Sequence, residues 1–208
     1  MSSHHIIRDE QEPGLIIMDY KPEYDSMLNS LLEWTPIVVV SEDVIEKVLP
    51  LNFKVDLLIG EKRPDFMDEA YQPVKFLSST GNNLFENALH FFIASKQKNI
   101  NVLVQEAAIY DLAQSIIEKE LFKGLLISFF SQTSKINILS KEYSKWFKSG
   151  TRLIIHELHK HTNFSLSENV TKERECHRGK VSLLVSKSGM VNISSSNEFL
   201  MEEIIFDA

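Results

Sequence analysis

Apolar runs alternate with stretches of helical periodicity through the first two-thirds of the chain. Residues 14–18 (Gly-Leu-Ile-Ile-Met) read as a strand, and the β-branched run at 36–40 (Pro-Ile-Val-Val-Val) as a second. A third strand is predicted at 55–60, halted by Gly60, with further strands at 100–104 and 125–130. Between them lie helices: 22–34, with Met27, Leu28, Leu31 and Leu32 on one face and Pro22 suited to the first turn; 42–49, ended by Pro50; 83–96, with Leu84, Ala88, Leu89 and Phe92 in a stripe; and 109–119. Near-continuous apolar strands separated by helices predict an α/β fold, a mainly parallel Rossmann-like sheet with helices on both faces. Ligands of such sheets sit at the carboxyl ends of the strands, so the turns after Met18, Val40, Gly60 and Val104 and the stretch before Asn83 are the segments to inspect.

From about Lys135 the helical period fades. Short strands are predicted at 136–139, 152–158, 181–185, 190–194 and 199–206, with Gly150, Gly179 and Gly189 at turns. The polar stretch 165–180 reads as an exposed loop. The pattern divides the chain into an α/β domain at 1–134 and a small all-β sandwich domain at 135–208.

Composition narrows the classes. The 208 residues carry 22 Lys and Arg against 29 Asp and Glu, a net charge of −7, which argues against a nucleic-acid binder. A single cysteine, Cys176, excludes an intrachain disulfide and a four-cysteine zinc site. The first residues lack a basic region followed by an apolar one, and no apolar run approaches the ~20 residues needed to span a bilayer. The expectation is a cytoplasmic protein that engages neither membrane nor nucleic acid.

Several segments carry a resemblance. The opening at residues 2–13, the strand 55–60, Trp146 with Gly150, and Ser182 with the following 185–189 are similar to segments of the thiamine pyrophosphokinase family. The resemblance spans nearly the whole chain. It implies a homodimer that transfers diphosphate from ATP to thiamine, leaving AMP, with thiamine or a nucleotide as ligand. ATP and Mg²⁺ are then the cofactors of an active enzyme, and Mg²⁺ requires hard carboxylate oxygens.

The acidic motifs depart from the family's. Its Asp-Gly pair after the second strand stands here as Glu42-Asp43, and its Gly-Asp-Phe-Asp motif as Gly60-Glu61-Lys62-Arg63, with Arg63 reversing a charge. Ser79, Gly81 and Leu84 stand at three further aspartates, and Asn83 at a threonine. Ala108 replaces the motif arginine and Tyr110 the next aspartate, with Asp111 one place late. The family's Ser-Asn pair is Ser182-Leu183, which leaves Ser182 as the thiamine-binding candidate. Removing one preorganised electrostatic partner costs about 10²–10³ in rate. The resemblance thus implies a degenerate member with no intact catalytic set, a pseudoenzyme. Two alternatives stay open: an active enzyme with a clamp of Glu42, Glu61 and Asp111, or an interaction dimer whose pocket is filled by Tyr20 and Tyr110.

Other constellations are weaker. Glu42, Glu61, Lys62, Arg63, Ser79, Thr80 and Asn83 form a candidate nucleotide or anion site, against the plainer reading of a charged loop and a capped helix start. His156, His159 and His161 with Glu157, Cys176 and His177 lack a zinc spacing and read as surface histidines, so no metal site is assigned. Residues 171–180 are basic on balance but without interleaved aromatics. No Gly-x-Ser-x-Gly elbow, Gly-x-Gly-x-x-Gly or Walker loop occurs.

Overall fold

The computed structural model describes residues 12–65, 74–80, 83–117, 119–132, 134–159, 162–176 and 179–204. The chain divides into two compact units, Met1–Gln132 and Thr133–Ala208.

In the first unit six strands, β1 (Gly14–Ile17), β2 (Ile37–Ser41), β3 (Leu57–Gly60), β4 (Lys75–Ser78), β5 (Asn99–Leu103) and β6 (Leu126–Phe130), pair in the order β6-β5-β1-β2-β3-β4. All five pairings are parallel. The helices are α1 (Asp25–Leu32), α2 (Glu42–Val48), α3 (Leu84–Ala94) and α4 (Glu106–Ile117). β1 and β3 are buried at every residue, as strands covered on both faces must be. Leu15, Ile17, Val38, Val40 and Leu58 join Leu28, Val44 and Ile45 from α1 and α2 in one apolar cluster. The segment predicted as helix from Pro22 opens with a 3₁₀ turn, Pro22–Tyr24, before α1.

Gly14 is required by close packing. A Cβ there would stand 2.6–2.8 Å from three ring carbons of Phe92, which is fully buried on α3. Gly14→Ala is therefore expected to destabilise the chain by about 1–2 kcal/mol through overpacking, read as a lower urea midpoint at unchanged slope.

The second unit holds β7 (Ser134–Leu139), β8 (Glu142–Phe147), β9 (Arg152–Glu157), β10 (Phe164–Leu166), β11 (Val170–Cys176), β12 (Lys180–Val185), β13 (Gly189–Ser195) and β14 (Phe199–Ile204). They pair as β11-β12-β9-β14-β7 and as β10-β13-β8, and all six pairings are antiparallel. Leu153, Ile155, Leu183, Val185, Val191, Ile193, Phe199 and Met201 form their core.

These pairings correct the expected fold class. The chain is not a mainly parallel Rossmann-like sheet with helices on both faces. Among its described strands only β1–β6 pair in parallel and β7–β14 pair antiparallel, and the described residues hold only four α-helices of 7 to 12 residues. The physical reason is that parallel pairing is confined to β1–β6, whereas the strands after residue 134 pair antiparallel, β11 with β12 through a short hairpin and the others between strands distant in sequence. The stretch expected to be a loop at 165–180 is also corrected: it contains β11, paired to β12 from Val170↔Val185 to Cys176↔Lys180. Thr171, Lys172 and Glu173 are exposed there, as suits a strand at the end of a sheet order. Among the described residues no helix is long and apolar enough to cross a membrane.

Candidate functional site

The order β6-β5-β1-β2-β3-β4 reverses direction between β5 and β1, and the crevice beyond the carboxyl ends of such a pair is where open parallel sheets place ligands. Here the N–H groups of Met18 and Asp19 both donate to Leu103 O, at 2.9 and 3.2 Å, tying the two strand ends together. Asp19 follows directly and is only 6% exposed. Tyr24 Oη donates to Asp19 Oδ2 at 3.2 Å, and Tyr20 Oη to Asp25 Oδ1 at 2.5 Å. Burial, then the Asp19 charge, pushes the Tyr24 hydroxyl up to about 12. The hydrogen bond to Asp25, then burial, does the same for Tyr20, also to about 12. Both phenols therefore stay protonated donors at neutral pH and do not serve as bases. Asp19 was not singled out from sequence. Its one signal was position, as the first carboxylate after the first apolar strand.

At the end of β2, Ser41 caps α2 by accepting from Asp43 N–H at 3.4 Å. Glu42, the first residue of α2, turns its side chain over Gly60 at the end of β3, and its Oε2 accepts from Lys62 N–H at 3.2 Å. Glu61, Lys62 and Arg63 are exposed, and Ser78 Oγ donates to Glu61 O at 3.5 Å. Ser79 is 6% exposed; its N–H donates to Gly60 O at 2.8 Å, and its Oγ accepts from Asn87 Nδ2 at 2.8 Å. Thus Glu42, Gly60, Glu61, Lys62, Ser78 and Ser79 are brought to one edge of the sheet.

The remaining candidates are placed apart. Thr80 is exposed, and Asn83 precedes α3 without a capping side-chain hydrogen bond. Leu84 opens α3 half-buried, and Gly81 lies outside the described residues. On α4, Ala108 is half-buried, Asp111 is exposed and Tyr110 is 44% exposed. Of the two tyrosines expected to fill the pocket, Tyr20 sits in the apolar cluster at 7% exposure and Tyr110 points to solvent.

In the second unit, Ser182 is half-buried on β12 and its Oγ donates to Glu173 Oε2 at 3.3 Å. His156 and His159 have separate acidic partners: His156 Nε2 lies 2.9 Å from Glu202 Oε2, both nearly fully buried, and His159 Nε2 lies 3.7 Å from Glu198 Oε2. The expectation of a surface histidine is thus corrected at His156, which the sheet buries because it shares a face with Glu202 on the neighbouring strand. His161 and His177 lie outside the described residues. Among the described residues no three His, Cys, Asp or Glu side chains are grouped to hold a metal ion.

No family model matches the chain, and no curated protein matches it in sequence. Solved structures do match in fold. A protein from Lactobacillus plantarum superposes with a TM-score of 0.70 at 8% identity, over 94% of this chain and 100% of that one. Thiamin pyrophosphokinase from Candida albicans gives 0.68 at 16% identity, over 94% and 90% of the two chains. Thiamin pyrophosphokinase from Geobacillus thermodenitrificans gives 0.66 at 12% identity, over 94% and 98%. The chain has the fold of the thiamin pyrophosphokinases.

Proposed function

We propose that this chain is a thiamine pyrophosphokinase-like protein that has lost diphosphate transfer and keeps a binding role, with thiamine or a nucleotide as its ligand. The observation that carries the reading is the position of Glu42. It stands where the family has its first acidic motif, and its carboxylate closes over Gly60 onto the Lys62 amide instead of facing a ligand. Of the carboxylates that the resemblance would assign to Mg²⁺, Glu42 and Glu61 are the ones this chain keeps at the end of β2 and β3, and Glu42 is engaged with the Lys62 amide. Tyr20 adds to this by filling space in the core cluster beside β1. What remains at the switch point is acidic, with Asp19 and the first-turn Glu106 both felt by the Tyr24 hydroxyl. That charge suits a cation such as the thiazolium of thiamine better than a polyphosphate.

The test is calorimetric titration of the purified chain with thiamine, with and without ATP and Mg²⁺, beside an assay for AMP release. We expect heat on thiamine addition and no AMP. Steady AMP release dependent on both substrates would overturn the loss of catalysis. No heat with thiamine or ATP would overturn the binding role and leave a protein whose function is interaction alone. The family's homodimer comes with the reading, and sedimentation equilibrium tests it.

A further inference from the structure

The three-stranded sheet β10-β13-β8 has one face in the core and one facing out. Phe164, Leu166, Val191, Ile193, Tyr143 and Phe147 alternate inward and pack in the apolar cluster. The outward residues line up in cross-strand rows. Trp146 stands opposite Met190, Ser144 opposite Asn192, and Glu142 opposite Ser194, which is in turn opposite Ser165. With two residues per row at ~3.4 Å each, the first and third rows are about 14 Å apart.

The first row is apolar and open: Trp146 is 54% exposed and Met190 53%. The other two rows are exposed and carry short hydroxyl and amide groups. They line a groove of about 560 Å³. Its polar floor is fixed by internal bonds. Ser144 Oγ donates to Asn192 Oδ1 at 2.7 Å, and the Asn192 N–H donates to Ser167 Oγ at 3.1 Å. Ser167 Oγ donates in turn to Asn169 Oδ1 at 2.7 Å. Asn192 is thereby held on the outward face with its amide oxygen engaged by Ser144.

The lining selects its ligand by elimination. It contains no lysine, arginine or histidine, and one carboxylate, Glu142. A phosphate-bearing ligand would meet repulsion with no counter-charge. Protein interface cores are depleted in Ser, which supplies four of the nine residues lining the groove. Hydroxyl and amide groups beside an open indole match a neutral ligand with many hydroxyls and apolar ring faces. The indole face carries the negative end of its quadrupole and attracts polarised C–H groups. We infer that this face is a carbohydrate-binding site, in which Trp146 stacks on one ring of an oligosaccharide and Asn192, Ser144, Ser194 and Glu142 bond hydroxyls of the rings that follow it along the groove. The inference is independent of the thiamine reading.

The experiment titrates the full chain with maltoheptaose, cellohexaose and chitohexaose, following tryptophan emission and binding heat. Saturable binding of at least one is expected. Trp146→Ala should abolish it, and Asn192→Ala should weaken it about tenfold, the effect of one well-formed hydrogen bond. Trp34→Ala removes the second indole, 71% exposed in the first unit, and should leave affinity unchanged. All three substitutions are at exposed positions, and unchanged urea midpoints will establish that the variants fold. No saturable binding of any of the three sugars, or binding that survives Trp146→Ala, overturns the proposal. So does an emission change that follows protein concentration without sugar, which would put a second copy of the chain on this face.

Discussion

His156→Leu is expected to destabilise the chain by about 3–5 kcal/mol at neutral pH, the usual cost of leaving a buried carboxylate, here that of Glu202, without its main partner. His156 on β9 and Glu202 on β14 are 7% and 6% exposed and lie 2.9 Å apart. Burial acts to raise the Glu202 carboxyl, but hydrogen bonds from His156 and Ser134, with the charges of His156 and Lys180, outweigh it and hold the group below the ordinary carboxylate value. A depressed folded value contributes stability that is present above the unfolded value and is lost as pH falls through the folded one. Without His156 the largest lowering contribution is gone and burial dominates, so the Glu202 carboxyl should move above its ordinary value. Its contribution then reverses: it is favourable in acid and lost as pH rises. The difference in unfolding free energy between wild type and His156→Leu should therefore shrink from pH 7 towards pH 4, as urea titrations at a series of pH values will measure. Adding Glu202→Leu should recover much of the loss at pH 7, because an apolar pair of similar volume needs no compensation. A pH-independent difference, or no recovery in the double variant, would show that His156 acts by packing alone.

This pair also marks where sequence reading stopped. The two residues are 46 positions apart, and the histidine spacing reads as surface because nothing local says that β9 and β14 are neighbours. By contrast β1, β2 and β3 were legible, since each is a continuous apolar run that only burial on both faces explains. β8 (Glu-Tyr-Ser-Lys-Trp-Phe) and β11 (Val-Thr-Lys-Glu-Arg-Glu-Cys) were not, because their places depend on backbone pairing to β13 and β12 rather than on apolar content. The expected fold class fails on this gap: β11 reads as loop, and neither β8 nor the parallel edge strand β4 (Lys-Phe-Leu-Ser) carries a strand signal of its own. At the candidate site the sequence supplied Glu42, Glu61 and Ser79 through the family resemblance. It could not supply Asp19, whose burial comes from Tyr24 folding back onto it.

Gly60→Ala is expected to cost about 3 kcal/mol, the upper end for overpacking a close contact. An added Cβ would stand 2.5 Å from the Cβ of Glu42 and nearer still to its carboxylate. The carboxylate could swing aside at the loss of its bond to the Lys62 amide. The Glu42 Cβ could not, because it is fixed to the first residue of α2, whose Val44, Ile45 and Val48 are buried. The clash therefore pushes the start of the helix against the end of β3. Two companion variants separate these contributions. Glu42→Ala keeps the Cβ and should relieve only part of the Gly60→Ala loss. Glu42→Gly removes it and should relieve nearly all, less the ~1 kcal/mol that glycine costs inside a helix. Non-additivity of that size between positions 42 and 60 would be the energetic signature of direct contact. The same series bears on function. If Glu42 is occupied in covering Gly60, Glu42→Gln should leave thiamine binding unchanged, since the amide oxygen can still accept from Lys62. A loss of binding in Glu42→Gln would return Glu42 to a ligand-facing role, and with it the active-enzyme reading.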